Sequence, residues 1–174
     1  MLIPDWIDGL CDARILFRIR QSWPGLPEGR GFYATEIVKN LILGQTTNPQ
    51  DSKRAYELRA EIDWFIDGRT ISLRSDGEGG TNAWMARLDP SGDEVWEIRS
   101  MKPRPSLRIF GSIVALDVFV ALTWSKRADL HKRESEQWET AIAEFKAERS
   151  NCFGSARPIS GSYPDAYLSN VRLI

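Results

Sequence analysis

Between Val95 and Arg127 three short segments rich in β-branched and aromatic residues follow one another: Val95 to Arg99, Leu107 to Gly111, and Asp117 to Trp124. Such runs favour strands. In the first, Val95, Glu97 and Arg99 alternate with Trp96 and Ile98, which gives one apolar face and one half-polar face. The last, VFVALTW, is apolar almost throughout, as suits a central strand covered on both sides. MKPRPS, between the first two, must be a loop, because its prolines cannot donate to a sheet ladder. Ile113 to Leu116 carries no Gly or Asn turn signal, so the boundary of the second turn stays open. Three successive strands commit the chain to a sheet, and the other segments are read by how they would pack on it.

Ahead of this run, Ala13 to Arg20 alternates Ile15, Phe17 and Ile19 with arginines, Leu16 excepted, and reads as an edge strand with a basic outer face. That charge either protects the edge or contacts a nucleic acid. SWPGLPEGRG is an irregular loop. Ala34, Ile37, Val38, Leu41 and Ile42 recur at i, i+3, i+4, i+7 and i+8, the spacing of one helix face, with Gly44 placed to close it. A second helix from about Pro49 to Asp67 carries Leu58, Ile62, Phe65 and Ile66 on one stripe, capped by Asn48 and ended by Gly68. The two make a helical hairpin, and Glu57, Glu61 and Asp63 beside Lys53, Arg54 and Arg59 give its second helix no clear basic face for reading DNA. TISLR (70–74) and NAWMARL (82–88) read as strands joined by a Gly-rich hairpin loop, SDGEGGTN, which lacks the GK[ST] of a phosphate loop. DPSGDE is a turn. A last helix from about Glu134 to Arg149 places Trp138, Ile142 and Phe145 against the sheet, and residues 151–174 read as an irregular, partly docked extension.

With 174 residues, 42% of them hydrophobic, the chain can bury a core as one domain, residues 1–150. No apolar run approaches the ~20 residues that cross a bilayer, and MLIPDWIDG lacks the features of a signal peptide. The chain therefore reads as soluble and cytoplasmic. Cys11 and Cys152 lie far apart and there is one histidine, so the reading includes no metal site, cofactor or disulfide framework. The net charge of −1 argues against a uniformly basic surface, but its distribution is uneven. From Arg99 to Arg133 eight basic residues (Arg99, Lys102, Arg104, Arg108, Lys126, Arg127, Lys132 and Arg133) stand against Asp117 and Asp129.

The segments VWEIRS (95–100), LRIFG (107–111) and DVFVALTWSKRADL (117–130) resemble the RelE/ParE/HigB superfamily of toxins, in particular its HigB-like and phage-encoded branch. In that pattern a strand ending in Arg is followed by an R-I/V-F/Y strand and by a last strand running into a basic pair. The resemblance implies a RelE-like α+β fold: a helical hairpin packed on a mainly antiparallel sheet, with a C-terminal helix and an irregular tail. It implies binding to the ribosome and metal-independent cleavage of messenger RNA, by attack of a 2′-hydroxyl on the adjacent phosphate. Such chemistry needs cations for the transition-state charge and groups that move protons. Arg108 and Arg127 match the charge-stabilising positions, while Arg99, Lys102, Arg104, Lys126, Lys132 and Arg133 would hold the RNA backbone. Where RelE has a tyrosine after the basic pair, this chain reads ADLHKRE, so proton transfer would fall to His131 or to a tail tyrosine, Tyr163 or Tyr167. Two other readings stay open. A non-catalytic relative from a phage or mobile element would use the same basic face to bind an acidic partner: nucleic acid, an antitoxin or a host-defence protein. Alternatively, the basic cluster only balances carboxylates from the two helices.

Overall fold

In the computed structural model, residues 3–45, 49–74, 82–88, 90–161 and 163–174 are described, residues 49–53 by their backbone alone. The elements follow in the order α1 (Asp5–Asp12), β1 (Phe17–Arg18), β2 (Gly31–Ala34), α2 (Glu36–Ile42), α3 (Pro49–Ile66), β3 (Ile71–Arg74), β4 (Met85–Arg87), β5 (Trp96–Ser100), β6 (Leu107–Ala115), β7 (Val118–Lys126), α4 (Glu136–Phe153) and β8 (Val171–Leu173). The strands form one sheet in the order β1-β2-β7-β6-β5-β4-β3-β8. The three expected strands are present as β5, β6 and β7, paired antiparallel in sequence order. Their second turn is Leu116–Asp117, with Asp117 at φ 63°, a left-handed conformation that Asp tolerates better than most residues.

The class is α+β and the sheet is mixed: among the described residues four of its pairings are antiparallel and three parallel. β2 runs parallel to β7, β3 parallel to β4, and β8 parallel to β3. The parallel β3–β4 pair excludes the expected hairpin between them, whose loop at 75–81 lies outside the described residues, as do Asn48 and Asp89. The tail is not wholly irregular either. It seats Tyr167 and Leu168 in the core and adds β8 to the sheet margin, while α4 continues past residue 150 to Phe153.

The Ala13–Arg20 segment also differs from expectation. Strand β1 covers only two of its residues, at the sheet edge, and the chain leaves α1 through Arg14 at φ 58°. Leu16 and Ile19 are buried and Ile15 is exposed, while Arg18 and Arg20 both reach Glu28, at 2.7 and 3.3 Å. In α2, Val38, Leu41 and Ile42 point inward as expected. Ala34 belongs instead to β2, and Ile37 is 59% exposed. Gly44 ends α2 at φ 68°, its N–H donating to the Leu41 carbonyl.

Helices cover both faces of the sheet. On one, Val38, Leu41 and Ile42 of α2 and Leu58, Ile62, Phe65 and Ile66 of α3 pack with Ile98, Ile109 and Phe119. On the other, Ile7 of α1 and Trp138, Ala141 and Phe145 of α4 pack with Phe110, Val120 and Leu122. The Ser135 hydroxyl caps α4 by accepting from the Trp138 N–H at 3.2 Å. Cys11 and Cys152 are free thiols, and burial with Glu148 close by pushes the Cys152 thiol up to about 12. Among the described residues, no helix is long and apolar enough to cross a membrane.

Candidate functional site

Antiparallel order brings the C-terminal end of β5, the N-terminal end of β6 and the C-terminal end of β7 to one margin of the sheet, where Arg99 pairs with Arg108 and Arg108 with Ser125. Side chains alternate between faces, so Glu97, Arg99 and Arg108 share the face toward α4. Glu97 is 1% exposed. Its carboxylate accepts from the Arg99 Nε at 2.6 Å and lies 3.4 Å from the Arg108 Nε. Arg133, from the loop before α4, approaches to 3.8 Å and also lies over the Trp138 ring, 5.7 Å from its centroid. Three guanidiniums thus share one buried carboxylate, and the quartet carries surplus positive charge. Burial lowers the Arg108 pKa; Glu97 opposes the shift, while the charges of Arg99, Arg127 and Arg133 add to it. A guanidinium stays protonated through such a shift, so the direction records a crowded positive field.

Two adjoining clefts open at this margin, meeting at Arg104 and Ser106. One, of about 630 Å³, is lined by Arg99, Lys102 and Arg108 and, from the other side, by Glu61, Asn82 and Trp84. The second, of about 790 Å³, lies between Arg54, the 103–106 segment and Arg127. The 101–106 loop is tied down at both ends. The Ser106 hydroxyl donates to the Met101 carbonyl at 2.9 Å and the Arg127 N–H to the Ser106 carbonyl at 2.8 Å. From α3, Arg54 donates to the Pro105 carbonyl at 3.1 Å and to the Ser100 hydroxyl, while its Nη1 has no hydrogen-bond partner among the described residues.

Of the residues expected from sequence, Arg99, Lys102, Arg104 and Arg108 line the first cleft and Arg104 and Arg127 the second; Arg133 joins them through Glu97. Lys126 is the last residue of β7, and Lys132 is exposed in the following loop; neither lines either of these two clefts. His131 is exposed and lines neither cleft; its main-chain carbonyl accepts from Arg127. Of the tail tyrosines, Tyr163 is exposed, and Tyr167 is buried against Trp96 at the opposite end of β5, its hydroxyl donating to Glu94 at 2.8 Å.

Two residues here were not expected from sequence. Arg54 is 1% exposed, and Glu61 is half-buried, its Oε2 accepting from the Trp84 indole at 3.1 Å. Burial raises the Glu61 pKa; hydrogen bonds from Ser100 and Trp84 and the charge of Arg54 partly offset this, while Glu57 adds to it. The signal was in the spacing. Arg54, Leu58, Glu61, Ile62 and Phe65 fall on one helical stripe, so two charged residues sat among the core positions. Among the described residues no cluster of three or more potential metal-ligating His, Cys, Asp or Glu side chains forms. Comparison of the chain with protein-family models, with curated proteins and with solved structures gives no match.

Proposed function

We propose that this margin of the sheet binds RNA and cleaves it without a metal, as a toxin-type endoribonuclease acting on ribosome-bound messenger RNA. The observation that carries the reading is the sharing of Glu97 by Arg99, Arg108 and Arg133 beside a cleft rimmed by Lys102 and Arg104. Three guanidiniums gathered on one carboxylate set a positive field beside that cleft, which suits a phosphate backbone. The resemblance of Arg108 and Arg127 to the charge-stabilising positions of RelE-like toxins supports the same assignment.

In this reading a 2′-hydroxyl attacks the adjacent phosphorus. Its proton passes to the Glu61 carboxylate, the non-bridging oxygens are held by Arg108 and Arg127, and the 5′-oxygen leaves with a proton from water, giving a 2′,3′-cyclic phosphate and a 5′-hydroxyl. Glu61 takes the part expected of His131 because its carboxyl lines the cleft. A carboxyl raised toward neutrality is a better-matched base than an ordinary one.

Induced expression tests the proposal. The wild type should arrest growth and cut ribosome-bound messenger, whereas Arg108→Ala, Arg127→Ala and Glu61→Gln should each slow cleavage by about 100-fold or more. Tolerated wild-type expression with intact messenger would reject the nuclease. Salt-sensitive capture of an acidic partner by the same face would then mark a non-catalytic relative.

A further inference from the structure

Trp84 stands just before β4 and is fixed on several sides. Its N–H donates to the Ser72 hydroxyl at 2.9 Å, and its carbonyl accepts from the Arg99 N–H at 2.7 Å. The indole N–H donates to Glu61, and the ring stacks on buried Phe65, centroids 5.8 Å apart with planes 28° from parallel. The ring is therefore held in one orientation and backed by the core, and it remains half-buried where it lines the cleft that also holds Arg99, Lys102, Arg104 and Arg108. An immobilised aromatic ring beside a row of cations is the arrangement that takes single-stranded nucleic acid, with a base stacked on the ring and the backbone on the cations. A base inside a duplex could not reach it, since both of its faces are already stacked.

We propose that Trp84 is the stacking platform for one unpaired base of the RNA, next to the phosphate held by Arg99 and Arg108. The proposal rests on the RNA-binding reading above and adds a base subsite to it. Stacking tolerates any base, so the subsite selects for a single strand rather than for a sequence.

Binding of the full chain to short single-stranded oligonucleotides tests this, with 2′-O-methyl riboses so that no attacking hydroxyl is present. The probes are an intact strand, a set in which one position at a time is abasic, and the matching duplex. Wild type should bind the intact strand about tenfold more tightly than the strand abasic at the stacked position, and more tightly than the duplex. Trp84→Ala should show the same tenfold loss on the intact strand and no further loss on the abasic one, while Trp84→Phe keeps most of the affinity. The abasic series on wild type and the Phe variant keep the test valid should the Ala variant fold poorly. If every abasic strand binds wild type as tightly as the intact one, and Arg108→Ala still abolishes binding, the base subsite is overturned and the RNA-binding reading stands. If wild type binds no oligonucleotide, both fall.

Discussion

The Glu61 carboxyl sits on the inward stripe of α3 with Leu58, Ile62 and Phe65, and it is held by hydrogen bonds from the Trp84 indole and the Ser100 hydroxyl. Burial raises its pKa above the ordinary 4.5, so in the window just above 4.5 the folded chain binds more protons at this site than the unfolded chain does. This contribution to stability is therefore lost as pH rises through the folded-state pKa. Glu61→Gln removes the titration. The stability of wild type minus that of the variant, from urea unfolding across a pH series, should fall as pH rises from about 4.5 and then level off; a flat difference would show that the carboxyl is not held as described. Charged residues such as Glu61 and Arg54 are read from sequence as solvated, and only their phase on the apolar stripe hints otherwise. The arginines around Glu97 were legible as a cluster, but the carboxylate that gathers them was not, since Glu97 looked like one polar position in an alternating strand.

At the scale of elements, β5, α3 and the body of α4 were legible because each carries its own period, and β6 and β7 because they are long runs of β-branched and aromatic residues. Strand β1 falls inside the segment read as an edge strand but covers only two of its residues, the three-residue β8 is too short to show a period, and the four residues of β2 are buried throughout, so no alternation marks them. Parallel pairing is also invisible locally, because β2 finds its partner in β7 far along the chain. Where β6 meets β7 the register shifts between Phe110 and Gly111, and a Cβ at Gly111 would collide with the Phe119 ring and the Val120 carbonyl. Both obstacles belong to the buried centre of the sheet. Gly111→Ala should therefore cost about 2–4 kcal/mol, read as a lowered urea midpoint with an unchanged slope. A change below about 0.5 kcal/mol would mean that β7 yields easily there.

Across the whole molecule, Arg30 ties together segments remote in sequence. It is fully buried, donates to the Arg69 carbonyl at 2.9 Å and the Asn170 carbonyl at 3.3 Å, and pairs with Asp117 at 3.3 Å; Asp117 in turn accepts from the Ser169 N–H at 2.8 Å. Burial lowers the Arg30 pKa, and Asp117 opposes the shift. Tyr167 and Leu168 pack in the core and β8 pairs with β3, so residues 163–174 contribute to the packed structure. A chain ending at residue 161 should lose about 3 kcal/mol or more, since it gives up a buried aromatic ring and leaves Arg30 without two of its acceptors. An unchanged thermal midpoint in that variant would show that the tail only rests on the surface.

The parallel seam between β2 and β7 also bears on how the chain is made. The segment at 31–34 emerges from the ribosome well before residues 118–121, the sheet partners it needs, and Arg30 waits longer still for residues 169 and 170. The β5–β6 and β6–β7 hairpins can pair as they emerge, whereas the β2–β7 seam and the Arg30 contacts must first close long loops, which slows that part of folding. During that interval one side of β2 offers unpaired N–H and C=O groups, the kind of open strand edge that invites misassociation.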